Sequence, residues 1–270
     1  MPELPEVETT MRGVAPLLEG ERLTAVEVRR TDLRWPIADD FRQRLQGAVV
    51  TSVGRRAKYG LIETDRGDTV ILHLGMSGRL RLNPDMDETH DHVLFATAAS
   101  RIALNDPRRF GSLHIIETER LAEHKLMAAL GPEPLGPDFT ATHLRSVTKT
   151  SGSPIKSLLL DGKRVAGLGN IYVCEALFDA GVRPTRKGRR LTGRETERLA
   201  RAIPPVLERA IAAGGSSLRD YAQPSGELGY FQHDFRVYGR EGEPCVDCAG
   251  VVKRIVQSGR SSFYCPNCQR

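Results

Sequence analysis

The sequence contains no apolar run near the ~18 residues that a membrane-crossing helix needs, so membranes are not expected among its partners. Its opening, Met1-Pro2-Glu3-Leu4-Pro5-Glu6, lacks the basic-then-apolar pattern of a secretory leader. Both absences point to the cytoplasm. Cysteine is scarce, with five in all, and in that compartment those few thiols are not expected to pair as disulfides. No segment repeats another, which sets solenoids and propellers aside. With 26 glycines, 40% hydrophobic and 27% charged residues, the composition excludes collagen and argues against coiled coils and disorder.

What is present is an ordinary globular composition over 270 residues, enough for about two domains. A chain of this size buries roughly 70–75% of its unfolded surface and needs no staple to hold a core. The charge is divided unevenly. Residues 1–142 hold 18 Lys and Arg against 22 Asp and Glu, whereas residues 143–270 hold 21 against 12. The net +5 is therefore a −4 half joined to a +9 half. A basic half points to a polyanion such as nucleic acid, the plain alternative being a solvated basic face.

Val7, Met11, Val14 and Leu18 fall on one face at helical spacing, which predicts a helix over 5–18 stopped by Gly20. From 22 to 116 the pattern changes to short β-rich runs at 23–29, 48–53, 61–64, 70–74 and 93–97. The turn Asp65-Arg66-Gly67-Asp68 joins two of them as a hairpin. Many short strands with turns predict a sandwich or barrel. Two glycines and three prolines within 131–137 mark a linker. Helical patterns follow at 143–149, 155–161, 171–180 and 192–213, and Pro204-Pro205 should kink or interrupt the last. Residues 214–230 read as a long polar loop.

The strongest local signal is Cys245-x-x-Cys248, sixteen residues, then Cys265-x-x-Cys268. Each pair can bite one side of a tetrahedral ion, and the stretch between suits a β-hairpin turning at Ser258-Gly259-Arg260, so one structural zinc is expected. Cys174, in an apolar helix, reads as a core residue.

Pro2 carries a second signal. A small residue after the initiator generally permits removal of Met1, which would expose a secondary α-amine. An α-amine is unprotonated at neutral pH about a few hundred times more often than a lysine, and the free amine is what attacks an electrophilic carbon. Glu3 and Glu6 stand beside it and can handle protons. The plain reading is a helix start, with Pro5 in the first turn and the glutamates favouring the positive end. Both can hold at once.

These pieces together resemble one family. Pro2-Glu3-Leu4-Pro5-Glu6-Val7-Glu8-Thr9, the Lys58 segment, His73-Leu74-Gly75-Met76-Ser77-Gly78, Asp106-Pro107-Arg108-Arg109-Phe110-Gly111 and Gly167-Leu168-Gly169-Asn170-Ile171-Tyr172 are similar to bacterial formamidopyrimidine-DNA glycosylases, as is the four-cysteine tail. The match runs from Pro2 to the last cysteine in the same order.

The resemblance implies a multi-domain α+β fold: an N-terminal helix plus β-sandwich (1–130), a linker (131–138), a helical helix-two-turns-helix domain (139–235) and a C-terminal β-hairpin zinc finger (236–270), with DNA in the cleft between. It implies a monomer that repairs double-stranded DNA by excising oxidised purines and then cutting the abasic strand through β,δ-elimination. The Pro2 amine would attack the sugar's anomeric carbon, Glu3 would donate a proton to open the sugar, and Glu6 would support them. Lys58 would serve β-elimination. Arg260 would bind phosphates and assist δ-elimination. Met76, Arg108 and Phe110 would fill the space left by the extruded base, suitable work for an apolar wedge, a planar cation and a ring. His92, Arg108, Lys156 and Asn170 would contact DNA, Asn170 also capping its helix. Residues 214–230 would cover the lesion as a lid. Thr150-Ser151-Gly152 is less basic than in some relatives, which puts a phosphate contact there in doubt.

Two alternatives stay open. One is the endonuclease VIII branch, which prefers oxidised pyrimidines; Leu4, Met76 and the run from Arg108 to Phe110 favour the purine branch. The other is an inactive paralogue that only binds damaged DNA, against which stand Pro2, Glu3 and Lys58.

Overall fold

The apolar face of the first predicted helix becomes α1 (Leu4–Leu18), which opens one residue earlier than its proline suggested. Glu3 is its N-cap, and Glu3 with Glu6 forms a reciprocal capping box that satisfies two of the helix's orphan N–H groups. The computed structural model describes residues 1–216 and 229–270. They divide into two compact units, Met1–Ala128 with Ala213–Tyr230, and Ala129–Ala212 with Phe231–Arg270.

In the first unit, α1 is followed by β1 (Ala25–Val28), α2 (Phe41–Leu45), β2 (Val50–Arg56), β3 (Tyr59–Thr64), β4 (Asp68–His73), β5 (Arg79–Leu82), β6 (Asp91–Ala96), β7 (Arg101–Asn105) and β8 (Ser112–Glu117). These strands form two four-stranded antiparallel sheets, ordered β2-β3-β4-β8 and β1-β6-β7-β5. The predicted turn at 65–68 does join β3 to β4, with Ile62 opposite Val70. β3 alternates half-buried and buried along its length, as a strand with one face on a core must. Val7, Met11, Val14 and Leu18 of α1 enter one buried cluster with Ile62, Val70 and Leu72 of one sheet and Val93, Phe95 and Ile102 of the other. Gly60 permits this docking, because a Cβ there would stand 2.5 Å from the Met11 sulfur. The sequence pattern did not mark α2, β5, β7 or β8; the first three have only four or five residues, too few to show a period.

In the second unit, α3 (Ala141–Thr148) is capped by the Thr140 hydroxyl, which accepts the His143 N–H. It is followed by α4 (Ile155–Leu159), α5 (Asn170–Asp179) and α6 (Gly193–Ala212), then by the hairpin β9 (Lys253–Gln257) and β10 (Arg260–Tyr264). Of the kink or interruption expected at Pro204-Pro205, the interruption is absent, and α6 runs through both prolines. Its buried stripe of Leu199, Ile203, Val206, Leu207 and Ala210 explains this, because α6 packs against α3 and α5. Packing of such a stripe, more than local propensity, sustains helices in proteins. Cys174 is buried beside Phe178, Val237, Val252 and Phe263, the core position expected of it.

Candidate active site and metal centre

Pro2 and Glu3 are buried at the head of α1. The N–H of Glu3 donates to Oε2 of Glu6 at 2.8 Å, while Oε1 of Glu6 accepts the N–H and hydroxyl of Ser216 at 2.9 and 3.0 Å. One buried carboxylate thus ties the peptide after Pro2 to a residue 210 positions later. Of the lid predicted at 214–230, residues 217–228 lie outside the described residues.

Lys58 sits in the tight turn between β2 and β3, where Ala57 has φ 54°. Arg55 fixes that turn, donating to the Ala57 carbonyl at 2.9 Å and to Glu8 of α1 at 2.8 Å. Burial pushes the Glu8 carboxyl up, but the guanidiniums of Arg55 and Arg12 outweigh it and hold the group below its ordinary range. His73 ends β4 with its Nδ1 accepting the Gly75 N–H at 3.0 Å, so the neutral ring carries its proton on Nε2. Burial, reinforced by the positive charges of Lys58 and Arg34, lowers His73 to about 4, and Asp106 opposes the shift. At neutral pH the ring is uncharged.

A cavity of about 660 Å³ opens on this face, lined among others by Met1, Arg34, His73, Met76, Arg108 and Phe110. The three proposed void-fillers therefore share one cavity with the chain's first residue. Met76 and Phe110 are 40% and 43% exposed, unusual for large apolar side chains, and the Arg108 guanidinium lies 4.8 Å above the Phe110 ring.

Two of the residues expected to contact DNA, His92 and Lys156, are buried and hydrogen-bonded within the protein. His92 is 5% exposed, and its Nε2 donates to the Asp106 carbonyl at 2.8 Å. In the segment His90-Asp91-His92 the exposed ring is that of His90, which precedes β6. Lys156 is 1% exposed, and its ammonium donates to the Ser261 carbonyl and the Ser262 hydroxyl, each at 2.7 Å. It fastens α4 to the finger hairpin. Asn170 is not the N-cap of α5, a place taken by Gly169. Its amide instead donates to the Ser261 carbonyl at 2.9 Å, and its buried Oδ1 has no hydrogen-bond partner among the described residues. Asn170 and Lys156 thus converge on the residue after Arg260, whose side chain is exposed at the hairpin tip. Ser258 and Gly259 both have positive φ, the signature of the two-residue turn that matches strand twist.

The sulfurs of Cys245, Cys248, Cys265 and Cys268 lie within 4.8 Å of one another, with closest pairs at 3.5 and 3.8 Å. Four thiolates about 2.3 Å from a tetrahedral zinc would stand roughly 3.8 Å apart, so the donors fit one Zn²⁺ in chemistry and spacing.

The sequence reading did not single out Asp106, Arg34, Ser216 or the charge state of His73. The first and last lie within quoted motifs, but a buried acceptor cannot be told from a surface carboxylate without the fold.

A helix docked on a β-sandwich, a helical unit and a four-cysteine hairpin together define a multi-part α+β protein with a zinc ribbon. Descriptions of three family segments match the chain in order: the formamidopyrimidine-DNA glycosylase N-terminal domain over 1–113, the H2TH domain of the same enzymes over 130–222, and the zinc finger found in FPG and IleRS over 242–270. The chain belongs to the formamidopyrimidine-DNA glycosylase family. It is 58% identical to the formamidopyrimidine-DNA glycosylases of Rhizorhabdus wittichii and of Novosphingobium aromaticivorans, each alignment covering all of both chains. Among solved structures, the MutM (Fpg) protein of Thermus thermophilus superposes with a TM-score of 0.90 at 41% identity, covering 99% of this chain and 98% of that one. The Lactococcus lactis Fpg bound to abasic-site DNA superposes with a TM-score of 0.91 at 32% identity over all of both chains. Among the described residues, no helix is long and apolar enough to cross a membrane.

Proposed function

We propose that this chain is a bifunctional glycosylase and abasic-site lyase of base-excision repair, releasing oxidised purines (8-oxoguanine and formamidopyrimidines) from double-stranded DNA. The observation that carries this reading is the shared cavity, where the first residue of the chain meets Met76, Arg108 and Phe110. An enzyme that extrudes a base needs its nucleophile and its stack-filling groups on one face.

Once Met1 is removed, the Pro2 nitrogen lone pair forms a bond to C1′ of the damaged nucleotide. The nitrogen, now carrying a positive charge, gives up its N–H proton, and the glycosidic electron pair leaves with the base, which takes up a proton in turn. Glu3 then delivers a proton to O4′ as the C1′–O4′ bond opens, and the nitrogen supplies the electrons of the C1′=N⁺ iminium. That positive charge acidifies C2′–H. Lys58, set against α1 by the Arg55 clamp, serves the β-elimination that expels the 3′ phosphate. Arg260 holds phosphate and assists the second elimination, and water finally hydrolyses the iminium to restore the amine. Asn170 supports the backbone grip, and Glu6 fixes the peptide that follows the nucleophile. In this reading residues 1–130 carry the chemistry, while 139–235 and 236–270 grip DNA in the cytoplasm. Cys245, Cys248, Cys265 and Cys268 would hold the zinc, which braces the finger and takes no part in the bond changes.

Trapping with borohydride tests the proposal, because hydride reduces the iminium to a stable amine. A duplex carrying 8-oxoguanine should yield a covalent complex, faster than one carrying thymine glycol. Absence of any complex with 8-oxoguanine removes the enzymatic reading, and faster trapping on thymine glycol transfers the chain to the oxidised-pyrimidine branch.

A further inference from the structure

Met76 stands on the loop between β4 and β5, while Arg108 and Phe110 stand on the loop between β7 and β8, which joins the two sheets. If these side chains are to enter a base stack together, the two loops must hold one geometry before DNA arrives, since ordering them during base extrusion would add to its barrier.

The residue between them is Asp106, fully buried at the end of β7. Its Oδ1 accepts the hydroxyl of Ser77, the neighbour of Met76, at 2.7 Å. Its Oδ2 accepts the N–H of Gly111, the neighbour of Phe110, also at 2.7 Å. The Ser77 oxygen, whose hydroxyl donates to Asp106, accepts the N–H of Arg108 at 3.3 Å. The Asp106 carbonyl accepts from His92 Nε2 at 2.8 Å and from the Arg109 N–H at 3.1 Å. The loops also approach closely by backbone: Gly75 has φ +63°, and a Cβ there would stand 2.3 Å from the Phe110 carbonyl carbon.

We infer that Asp106 is a positioning residue that locks the Met76 loop and the Arg108–Phe110 loop into one preorganised wedge; this rests on the void-filling reading of those three side chains. A carboxylate taken wholly out of water is costly for a fold, and strand packing alone gives no reason to keep one. Two charged acceptor atoms aimed at two loops do give a reason, because hydrogen bonds to an ionised acceptor are shorter and stronger than neutral ones. The arrangement also gives His92 its part: a buried ring that props the Asp106 backbone, with no need to touch DNA.

The test separates base extrusion from chemistry. Asp106→Asn replaces one acceptor with an amino group that faces an N–H or O–H donor, and Ser77→Ala removes the bridging hydroxyl with little change in volume. Both should slow single-turnover release of 8-oxoguanine from a duplex about tenfold or more, while cleavage at a ready-made abasic site, where no base is extruded, stays within about twofold of the parent. If both variants release 8-oxoguanine at the parental rate, or lose both activities in proportion, the inference is overturned. Should Asp106→Asn fail to fold, Ser77→Ala decides alone. Phe110→Ala distinguishes the two levels of the argument. If it releases 8-oxoguanine at the parental rate, the void-filling reading fails. If it slows release and the other two variants do not, only the role of Asp106 fails.

Discussion

His73 has its ordinary value of 6.5 lowered to about 4 by burial first and by the charges of Lys58 and Arg34 next. Between about 6.5 and about 4 the unfolded chain therefore binds a proton on this ring that the folded chain refuses. Stability falls as pH drops through that window, and above it the ring contributes nothing. An NMR titration of the ring should show a midpoint near 4, and His73→Gln should flatten part of the loss of unfolding free energy over the window; a midpoint near 6.5 contradicts the assignment. Glu6 offers a second test at this scale. Glu6→Gln turns an amide donor toward either the Glu3 N–H or Ser216, and leaving a buried donor unsatisfied should cost about 1–3 kcal/mol in chemical denaturation. Pro2, Glu3 and Glu6 stood out in the sequence because an α-amine that Met1 removal would free sits beside two carboxylates at a helix start. Ser216, joined to Glu6 across 210 positions, carried no such sign.

Among the elements, α1, the β3–β4 hairpin and the cysteine pairs announce themselves through helical period, turn residues and ligand spacing. The four-residue β5 has no room to display a period, and α6 misled in the other direction, since two prolines inside it suggested a break. Its stripe of buried residues sustains the helix against the loss of two N–H donors. Pro205 is exposed, so Pro205→Ala restores a donor without disturbing the core, and should stabilise the helical unit by about 1–2 kcal/mol after allowing for the looser unfolded chain. No gain in the denaturant midpoint would mean that the missing donor is already compensated. At the finger, Asn170 and Lys156 fix the Ser261 carbonyl beside the exposed Arg260. Arg260→Ala should weaken lesion binding and reduce strand cleavage, and the slope of log affinity against log salt should shrink by about 0.9, the share of one phosphate contact. An unchanged slope counts against that contact.

For the whole molecule, the unequal charge of the two halves foreshadowed a polyanion, and the order of the motifs from Pro2 to Cys268 carried the family. How Met76, Arg108 and Phe110 share a cavity with residue 1 could not be read from the chain, because three separate segments meet there only after both sheets have formed. The chemistry assigned to this molecule depends on its first amine being free, so protein that retains Met1 should bind lesion DNA yet release no base. The most direct test is mass spectrometry of the borohydride-trapped complex after digestion. The reduced sugar should lie on the nitrogen of Pro2, in a peptide that has lost Met1; an adduct on Lys58 or any other side chain contradicts the Pro2 assignment.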